Sequence, residues 1–170
     1  LPYYLTSPLL RQFLEAAMPP DLLVVTVQWE VAQRLSASPP QMSLLAVAVQ
    51  FYGEPEVLRR VPAGAFHPRP KMDSAVVRIR VRPPEAWPHP DPGAFFRVVS
   101  AGFGQRRKQL RNALAQALGL SSEEVFRALR AAGVAPDRRA ESLSLEEWAR
   151  VTDALSQGHD EGDGQVFGVG

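Results

Sequence analysis

The sequence has no cysteine among its 170 residues, and this excludes disulfide bonds and thiolate metal ligands. Its three histidines lie far apart in the chain and lack the spacing of a metal site. No apolar run approaches the roughly 20 residues that cross a bilayer, and the longest, over residues 22–27, has the length of a strand. We therefore expect no metal and no membrane contact, and we expect a monomer in the cytoplasm.

The sequence also lacks an initiator Met. It begins with Leu1-Pro2-Tyr3-Tyr4. A Thr-Ser-Pro sequence at 6–8 then precedes an apolar run. This pattern is typical of a turn that leads from a strand into a helix, with aromatic rings at its tip. Open α/β sheets bind ligands at such turns, at the carboxyl ends of their strands. Because no strand precedes this turn, we expect the chain to be a piece of a longer protein.

Basic side chains are concentrated in two stretches, although the formal net charge is only +1. Residues 97–111 contain Arg and Lys but no acid, and residues 59–82 contain a single acid, Asp73. Most acidic residues come after residue 120. A basic zone of this kind is typical of a surface that binds the phosphate backbone of a nucleic acid.

The hydrophobic pattern divides the chain into parts. It predicts an α/β unit over residues 1–84, a proline-rich linker over 85–92, a helical domain over 93–157 and a disordered tail over 158–170. The expected elements of the first unit are helices over 7–18, 30–35 and 44–51 and strands over 22–28, 56–61 and 74–81. The apolar run over 22–28 is typical of a buried strand in a parallel sheet.

Capping signals predict the helices of the second unit. An Asp-Pro pair at 91–92 opens the first helix, and the second is expected over 106–118, with Gly119 as its stop. Ser-x-x-Glu sequences at 121–124 and 144–147 are capping boxes that open two more helices. This part of the chain is therefore expected to be all α.

A loop over residues 62–73 joins the second and third predicted strands and carries a Phe-x-Pro-x-Pro-Lys sequence at 66–71. The two prolines fix the backbone and hold Phe66 in a set direction. Alone, the loop is equally typical of a rigid connection between strands, and Tyr3 of a ring packed under the first helix. Two aromatic turns at one rim of a sheet favour a slot for a planar group, because enzymes that modify a base hold it outside the stack between rings.

The predicted helix over 106–118 carries a cluster of cations. Arg107 and Arg111 are spaced i, i+4, and Lys108 and Arg111 are spaced i, i+3, so that one helical face would bear all three. Like charges at this spacing destabilise a helix unless an anion neutralises them. A solvated basic face is one interpretation; the lack of acids favours contact with a phosphate backbone.

Five collinear stretches resemble motifs of the ribosomal RNA adenine dimethyltransferases, the KsgA family. They are Leu-Pro-Tyr at 1–3, Gln-x-Glu-Val-Ala-x-Arg-Leu at 28–35, Phe-x-Pro-x-Pro-Lys-Met-Asp-Ser-Ala-Val-Val-Arg at 66–78, Phe-x-Gln-Arg-Arg-Lys-x-Leu-Arg-Asn at 103–112 and Arg-Ala-Glu-x-Leu-Ser at 139–144. The resemblance covers about residues 1–157. It implies the C-terminal half of a class I, Rossmann-like methyltransferase sheet, followed by a small all-α domain.

The resemblance also implies a reaction, in which S-adenosylmethionine supplies two methyl groups to N6 of each of two adjacent adenines near the 3′ end of small-subunit rRNA. It implies catalytic roles for Leu1, Pro2, Tyr3 and Phe66. The Pro2 carbonyl would accept a hydrogen bond from the N6 amino group, and Tyr3 and Phe66 would pack on the two sides of the base. The residues expected to contact the small ribosomal subunit and its rRNA are Arg69, Lys71, Gln105, Arg106, Arg107, Lys108 and Arg111.

The chain departs from the family pattern at several points. The Asn of the first motif would lie immediately before Leu1 and the glycine-rich cofactor turn further upstream, so we expect most of the cofactor site to lie outside the chain and the chain alone to be inactive. Trp29 stands where the family usually has Lys or Arg, and Met42 where an aromatic is common. Two alternatives stay open: a macrolide-resistance methyltransferase of large-subunit rRNA, and a ribosome-assembly factor that binds RNA without chemistry.

Overall fold

The structure is a computed structural model that describes residues 6–160, which form two compact units. The first unit contains the residues up to Ser38 together with Met42–Pro90. The second contains Pro39–Gln41 together with the residues from Asp91 onwards. Leu1, Pro2 and Tyr3, and the predicted tail from residue 161, lie outside the described residues.

The first unit combines helices with a small sheet, and this confirms the α/β prediction. Its helices are α1 (Thr6–Leu14), α2 (Trp29–Leu35) and α3 (Leu44–Tyr52), and its strands are β1 (Leu22–Gln28), β2 (Gly53–Val61) and β3 (Ser74–Val81). The strand order is β1-β3-β2, and both pairings are antiparallel. The prediction of parallel pairing for β1 is therefore wrong among the described strands, because the antiparallel β3 lies between β1 and β2.

One face of this sheet forms the core of the first unit. In the register, Val25 lies opposite Val77, and Val27 lies opposite Ala75. Ala75, Val77 and Ile79 are fully buried. Helix α2 contacts all three strands and α3 contacts β2, so that the apolar face of the sheet is covered by helices. The alternation of side chains along β3 thus places its hydrophobic set on the inner face.

The other face of β1 is open in the described part of the chain. Leu22 and Val24 are 50% and 57% exposed. Val24 lies opposite Arg78, whose guanidinium pairs with the carboxylate of Glu56 on β2. The prediction of a fully buried strand is therefore wrong for these residues, since only one face of β1 is covered.

The second unit consists of four main helices. They are α4 (Pro92–Phe103), α5 (Leu110–Leu118), α6 (Ser122–Ala131) and α7 (Leu145–Asp160). Helices α5 and α7 each pack on both α4 and α6. Each helix contributes a fully buried side chain to the interior: Phe95, Leu114, Leu129 and Trp148.

The predicted caps of these helices are confirmed. The Asp91 side chain accepts from the Ala94 N–H at 3.1 Å, as expected of an N-cap in front of a proline. The capping box of Ser121 and Glu124 is complete, with both reciprocal hydrogen bonds present. Gly119 ends α5 with φ at +67°, a left-handed conformation that glycine adopts without steric cost.

Three predicted helix boundaries are wrong. Helix α1 ends at Leu14 rather than at residue 18, and residues 15–18 form a turn and bends before the prolines at 19–20. Helix α5 begins at Leu110 rather than at residue 106. Helix α7 continues to Asp160, so residues 158–160 are helical and do not belong to a tail.

Candidate functional site

The loop over residues 62–73, here called the aromatic loop, connects β2 to β3 and begins with an ordered turn. Ala63–Ala65 form a short 3-10 helix, in which the Ala65 N–H donates to the Pro62 carbonyl at 3.0 Å. The Phe66 N–H donates to the Ala63 carbonyl at 3.3 Å. Phe66 directly follows this turn, and its side chain is 39% exposed. A large apolar ring thus lies at the surface on a backbone held by hydrogen bonds.

Asp73 closes the aromatic loop from its other end. Its Oδ1 accepts from the Ala63 N–H at 2.9 Å, and its Oδ2 accepts from Arg60 Nε at 2.9 Å. Arg60 Nη2 lies 2.9 Å from the same Oδ2. These contacts hold the pKa of the Asp73 carboxyl below its usual value, chiefly through the Ala63 N–H and then through Arg60. The carboxylate therefore joins the last residue of the loop to both its first turn and β2.

The guanidinium of Arg60 is also stacked on an aromatic ring. Its Cζ lies 4.6 Å from the centroid of the Trp29 ring, at the start of α2. The main-chain N–H of Trp29 donates to the main-chain carbonyl of Asp73 at 3.0 Å. Trp29, one of the departures from the family pattern, is therefore part of a cluster with Arg60 and Asp73. The other departure, Met42, is buried in the same unit.

The structure brings several expected site residues together on the aromatic loop. Phe66, Arg69 and Lys71 all lie on it, and all three are exposed. Leu1, Pro2 and Tyr3 were expected to form the opposite wall of the slot and lie outside the described residues. The structure therefore describes only the wall of the expected slot that contains Phe66.

The remaining expected RNA contacts lie in the second unit, around residues 104–109, here called the basic loop. Arg106, Arg107 and Lys108 are exposed and lie in turns between α4 and α5. The predicted helical face shared by Arg107, Lys108 and Arg111 is wrong, because α5 has not begun at Lys108. Its first N–H groups, those of Leu110 and Arg111, donate to carbonyls of residues 138 and 136 at 2.7 and 3.2 Å. A remote segment therefore fixes the start of the helix.

Gln116 of α5 supports the basic loop. Its Oε1 accepts from Gln105 Nε2 at 2.7 Å and from Lys108 Nζ at 2.9 Å. Both ends of the loop are thus attached to one side chain, and the cations at 106–107 lie between these attachments. These hydrogen bonds hold the basic loop against α5, and the loop exposes its positive charges to solvent.

Arg111 is held inside the second unit by contacts to α6. Its Nε lies 2.6 Å from Ser122 Oγ and 3.1 Å from the Ser122 carbonyl. Its guanidinium carbon lies 5.0 Å from the centroid of the Phe126 ring. Arg111 therefore has a packing role that the exposed cations at 106–107 do not share.

Sequence reasoning missed Arg60, Asp73 and Gln116 as contributors to these sites. Asp73 offered a signal, since it is the single acid in the basic stretch over 59–82. A lone acid among many cations is a natural centre for an ion pair. Gln116 offered no comparable signal, because its contacts depend on the chain reversal between α4 and α5.

The model of the family described as ribosomal RNA adenine dimethylase matches residues 1–157. The chain belongs to this family. Among curated relatives of this chain, a Ribosomal RNA small subunit methyltransferase A from Dehalococcoides mccartyi is 50% identical over 148 residues, covering 87% of the chain and 51% of the relative. A protein of the same name from Pelotomaculum thermopropionicum is 49% identical over 158 residues, covering 91% and 54%. The chain thus spans about half the length of these relatives.

Two solved structures resemble this chain. The 23S rRNA methyltransferase ErmE matches with a TM-score of 0.67 and 27% identity, over 92% of this chain and 63% of the other. A dimethyladenosine transferase from Plasmodium falciparum matches with a TM-score of 0.79 and 16% identity, over 94% and 66%. These similarities agree with the expected methyltransferase fold of the family.

The described residues, 6–160, show neither a metal site nor a membrane-spanning helix. Within this range, no cluster of three or more His, Asp or Glu side chains is arranged to hold a metal ion. None of the helices in the described range combines the length and the apolar character needed to cross a bilayer.

Proposed function

We propose that the protein containing this chain dimethylates N6 of two adjacent adenines near the 3′ end of small-subunit rRNA. The observation that carries the proposal is the family match over residues 1–157, together with relatives at about 50% identity that are named as small-subunit rRNA methyltransferases. The proposal is supported by the exposed Phe66, which lies on a loop held by hydrogen bonds, because base-modifying enzymes hold their target base against a ring.

Phe66 would pack against one face of the target adenine, and Tyr3 against the other. The Pro2 carbonyl would accept from the N6 amino group, and Leu1 belongs to the same motif. The adenine nitrogen needs no strong base in this arrangement, since its lone pair must mainly be turned towards the methyl donor. Orientation of this kind is a proximity effect, and it makes the rate sensitive to small displacements of the walls.

S-adenosylmethionine would supply the methyl group. The described residues 6–160 include no glycine-rich turn that leads from a strand into a helix, so we assign no cofactor contact to them. Most of the cofactor site would be formed by residues other than these. The contribution of the described residues is to bind and orient the RNA.

The basic loop would contact the phosphate backbone of the rRNA through Arg106, Arg107 and Lys108. Arg69 and Lys71 would contribute positive charge beside the target base, and Gln105 would shape the basic loop. Arg111 would add positive charge to the same surface from the first turn of α5, with its Nε held by Ser122. The partner would be the small ribosomal subunit, bound by a monomer in the cytoplasm.

The test is a methylation assay with the complete gene product that contains this chain. Small and large ribosomal subunits are each incubated with labelled S-adenosylmethionine, and modified bases are located by mass spectrometry. Two adjacent N6,N6-dimethyladenines in small-subunit rRNA are expected. Methylation of large-subunit rRNA instead would favour the activity named for ErmE. Tight binding to small subunits without methylation would favour an assembly factor.

A further inference from the structure

Asp73 contacts three separate parts of the first unit. Its carboxylate accepts from the Ala63 N–H through one oxygen and from Arg60 through the other. Its main-chain carbonyl accepts from the Trp29 N–H at 3.0 Å. The start of the aromatic loop, the end of β2 and the start of α2 therefore meet at one residue.

Arg60 gives this junction a fixed geometry. Two of its guanidinium nitrogens lie 2.9 Å from Asp73 Oδ2, and its guanidinium also stacks on Trp29. The second carboxylate oxygen is then directed to the Ala63 N–H. A guanidinium held by an ion pair and by a ring loses more rotational freedom than one held by either alone.

Phe66 is connected to this junction through a single short turn. The Ala63 N–H is fixed by Asp73, and the Ala63 carbonyl accepts from the Phe66 N–H at 3.3 Å. Rotation of the peptide group before Ala63 would therefore tilt the turn that carries Phe66. The ring is 39% exposed, so part of its surface is free of packing and leaves room for such a tilt.

The sheet has other sources of stability than this cluster. Ser74 pairs with Gln28 and with Val61, and the following strand buries Ala75, Val77 and Ile79. The Arg60 side chain is 55% exposed, and exposed ion pairs contribute little to folding. The direction of the Phe66 ring is thus more sensitive to Asp73 than the fold of the unit is.

We propose that Asp73 is a positioning residue for adenine methylation, which sets the direction of Phe66 through the Ala63 N–H and the Arg60–Trp29 stack. The inference rests on the proposed function for its catalytic consequence. Its structural half, that Asp73 orders the aromatic loop, stands on the contacts alone.

The test compares two substitutions of Asp73 in the complete gene product. Asp73→Ala removes both contacts of the carboxylate, whereas Asp73→Asn keeps an acceptor for the Ala63 N–H and loses the charge that holds Arg60. The matched control is Glu54→Gln, which breaks the ion pair between Glu54, near the start of β2, and Arg82, directly after β3. The measurements are kcat, the KM for S-adenosylmethionine and amide hydrogen exchange of Ala63 and Phe66.

For Asp73→Ala we expect kcat to fall at least about tenfold at unchanged KM for S-adenosylmethionine, because misplacing a substrate wall by about 1 Å can cost up to about 100-fold. Exchange of Ala63 and Phe66 should rise while that of Val77 stays constant. Asp73→Asn should recover part of kcat, and Glu54→Gln should match wild type.

Unchanged kcat in Asp73→Ala with faster Ala63 exchange would overturn the positioning role. Equal acceleration of exchange at Ala63 and Val77 would also overturn it, because it would show a general structural role. If the wild-type protein methylates neither ribosomal subunit, the proposed function fails. The exchange data would then still decide whether Asp73 orders the loop.

Discussion

Arg138 and Glu147 form a two-point ion pair, in which Nη1 lies 2.6 Å from Oε1 and Nη2 lies 3.0 Å from Oε2. Glu147 Oε2 also accepts from the Ser144 N–H at 2.9 Å, and so completes the capping box that starts α7. The Arg138 carbonyl accepts from the Leu110 N–H at the start of α5. One ion pair therefore connects the beginnings of two helices.

The substitution Glu147→Gln should destabilise the second unit. The amide keeps one acceptor for the Ser144 N–H but loses the charge-assisted bonds to Arg138, which are worth about 1–3 kcal/mol. We expect a lower free energy of unfolding in urea titrations. Glu146→Gln on the exposed side of the same turn is the control and should leave the midpoint unchanged. Equal midpoints for the two variants would contradict the expectation.

The same pair predicts how stability depends on pH. Hydrogen bonds from Arg138, and also from the Ser144 N–H, lower the pKa of Glu147 although burial opposes them. The native state therefore favours ionised Glu147, and its contribution is fully present above the unfolded pKa of about 4.3. It is lost as the pH falls through the lower native pKa. Between pH 6 and pH 3, wild type should lose more stability than Glu147→Gln, as thermal melts at each pH would measure; parallel losses would argue against this role.

Gly102 is required by the packing of α4 against α7. A Cβ at this position would lie 2.5 Å from Trp148 Cη2, a rigid and fully buried ring. The substitution Gly102→Ala should therefore lower stability by about 1–3 kcal/mol, even though alanine favours a helix by about 1 kcal/mol. Gly158→Ala in α7 is the control, since its Cβ would meet nothing within 4 Å. Calorimetric melting should give opposite shifts for the two variants, and a stabilised Gly102→Ala would refute the packing argument.

The cations of the basic loop should control the salt dependence of rRNA binding. The double substitution of Arg106 and Arg107 by Gln removes two exposed charges. The negative slope of log K against log salt should therefore become shallower by about 2. The same replacement of Arg127 and Arg130, two exposed cations on α6, serves as the control. Filter binding to small subunits at several salt concentrations measures both. If the slope changes equally in the two variants, the basic loop has no special part in binding the rRNA.

The ring of Phe66 should matter for the reaction and not for cofactor binding. Stacking of one base on an aromatic side chain contributes about 1–3 kcal/mol, so Phe66→Ala should lower kcat/KM for rRNA about ten- to a hundredfold. Affinity for S-adenosylmethionine should stay constant. Met72→Ala, which removes another exposed apolar side chain of the aromatic loop, is the control. Wild-type rates in Phe66→Ala would exclude the ring from the substrate site.

Features encoded by neighbouring residues were predictable from the sequence. The capping box of Ser121 and Glu124 and the stop at Gly119 depend on contacts within one helical turn, and the structure contains both. The start of α5 was not predictable, because carbonyls from residues 136–138 satisfy its first N–H groups. Strand order was equally inaccessible, since the alternating pattern of β3 fixes which face is buried but not which strands lie beside it.

The candidate site divides in the same way. The motif at 66–71 identified the aromatic loop, and Phe66 is exposed on it. The role of Asp73 required the fold, because its partners Arg60 and Trp29 belong to other elements. The helical face predicted for the basic loop was wrong for a related reason: spacing alone cannot show whether a helix has started.

The position of β3 between β1 and β2 makes the two ladders of the sheet unequal in sequence separation. Among the described strands, β1 and β2 pair only with β3, and Leu22 at the start of β1 lies opposite Arg80 near the end of β3. Among the described strands, β1 and β2 therefore share no ladder with each other. The pairing of β2 with β3 is local, because only the aromatic loop separates them, whereas β1 pairs with β3 across a much longer stretch of chain. The loop that carries Phe66 is consequently also the connection from which this sheet can begin to grow.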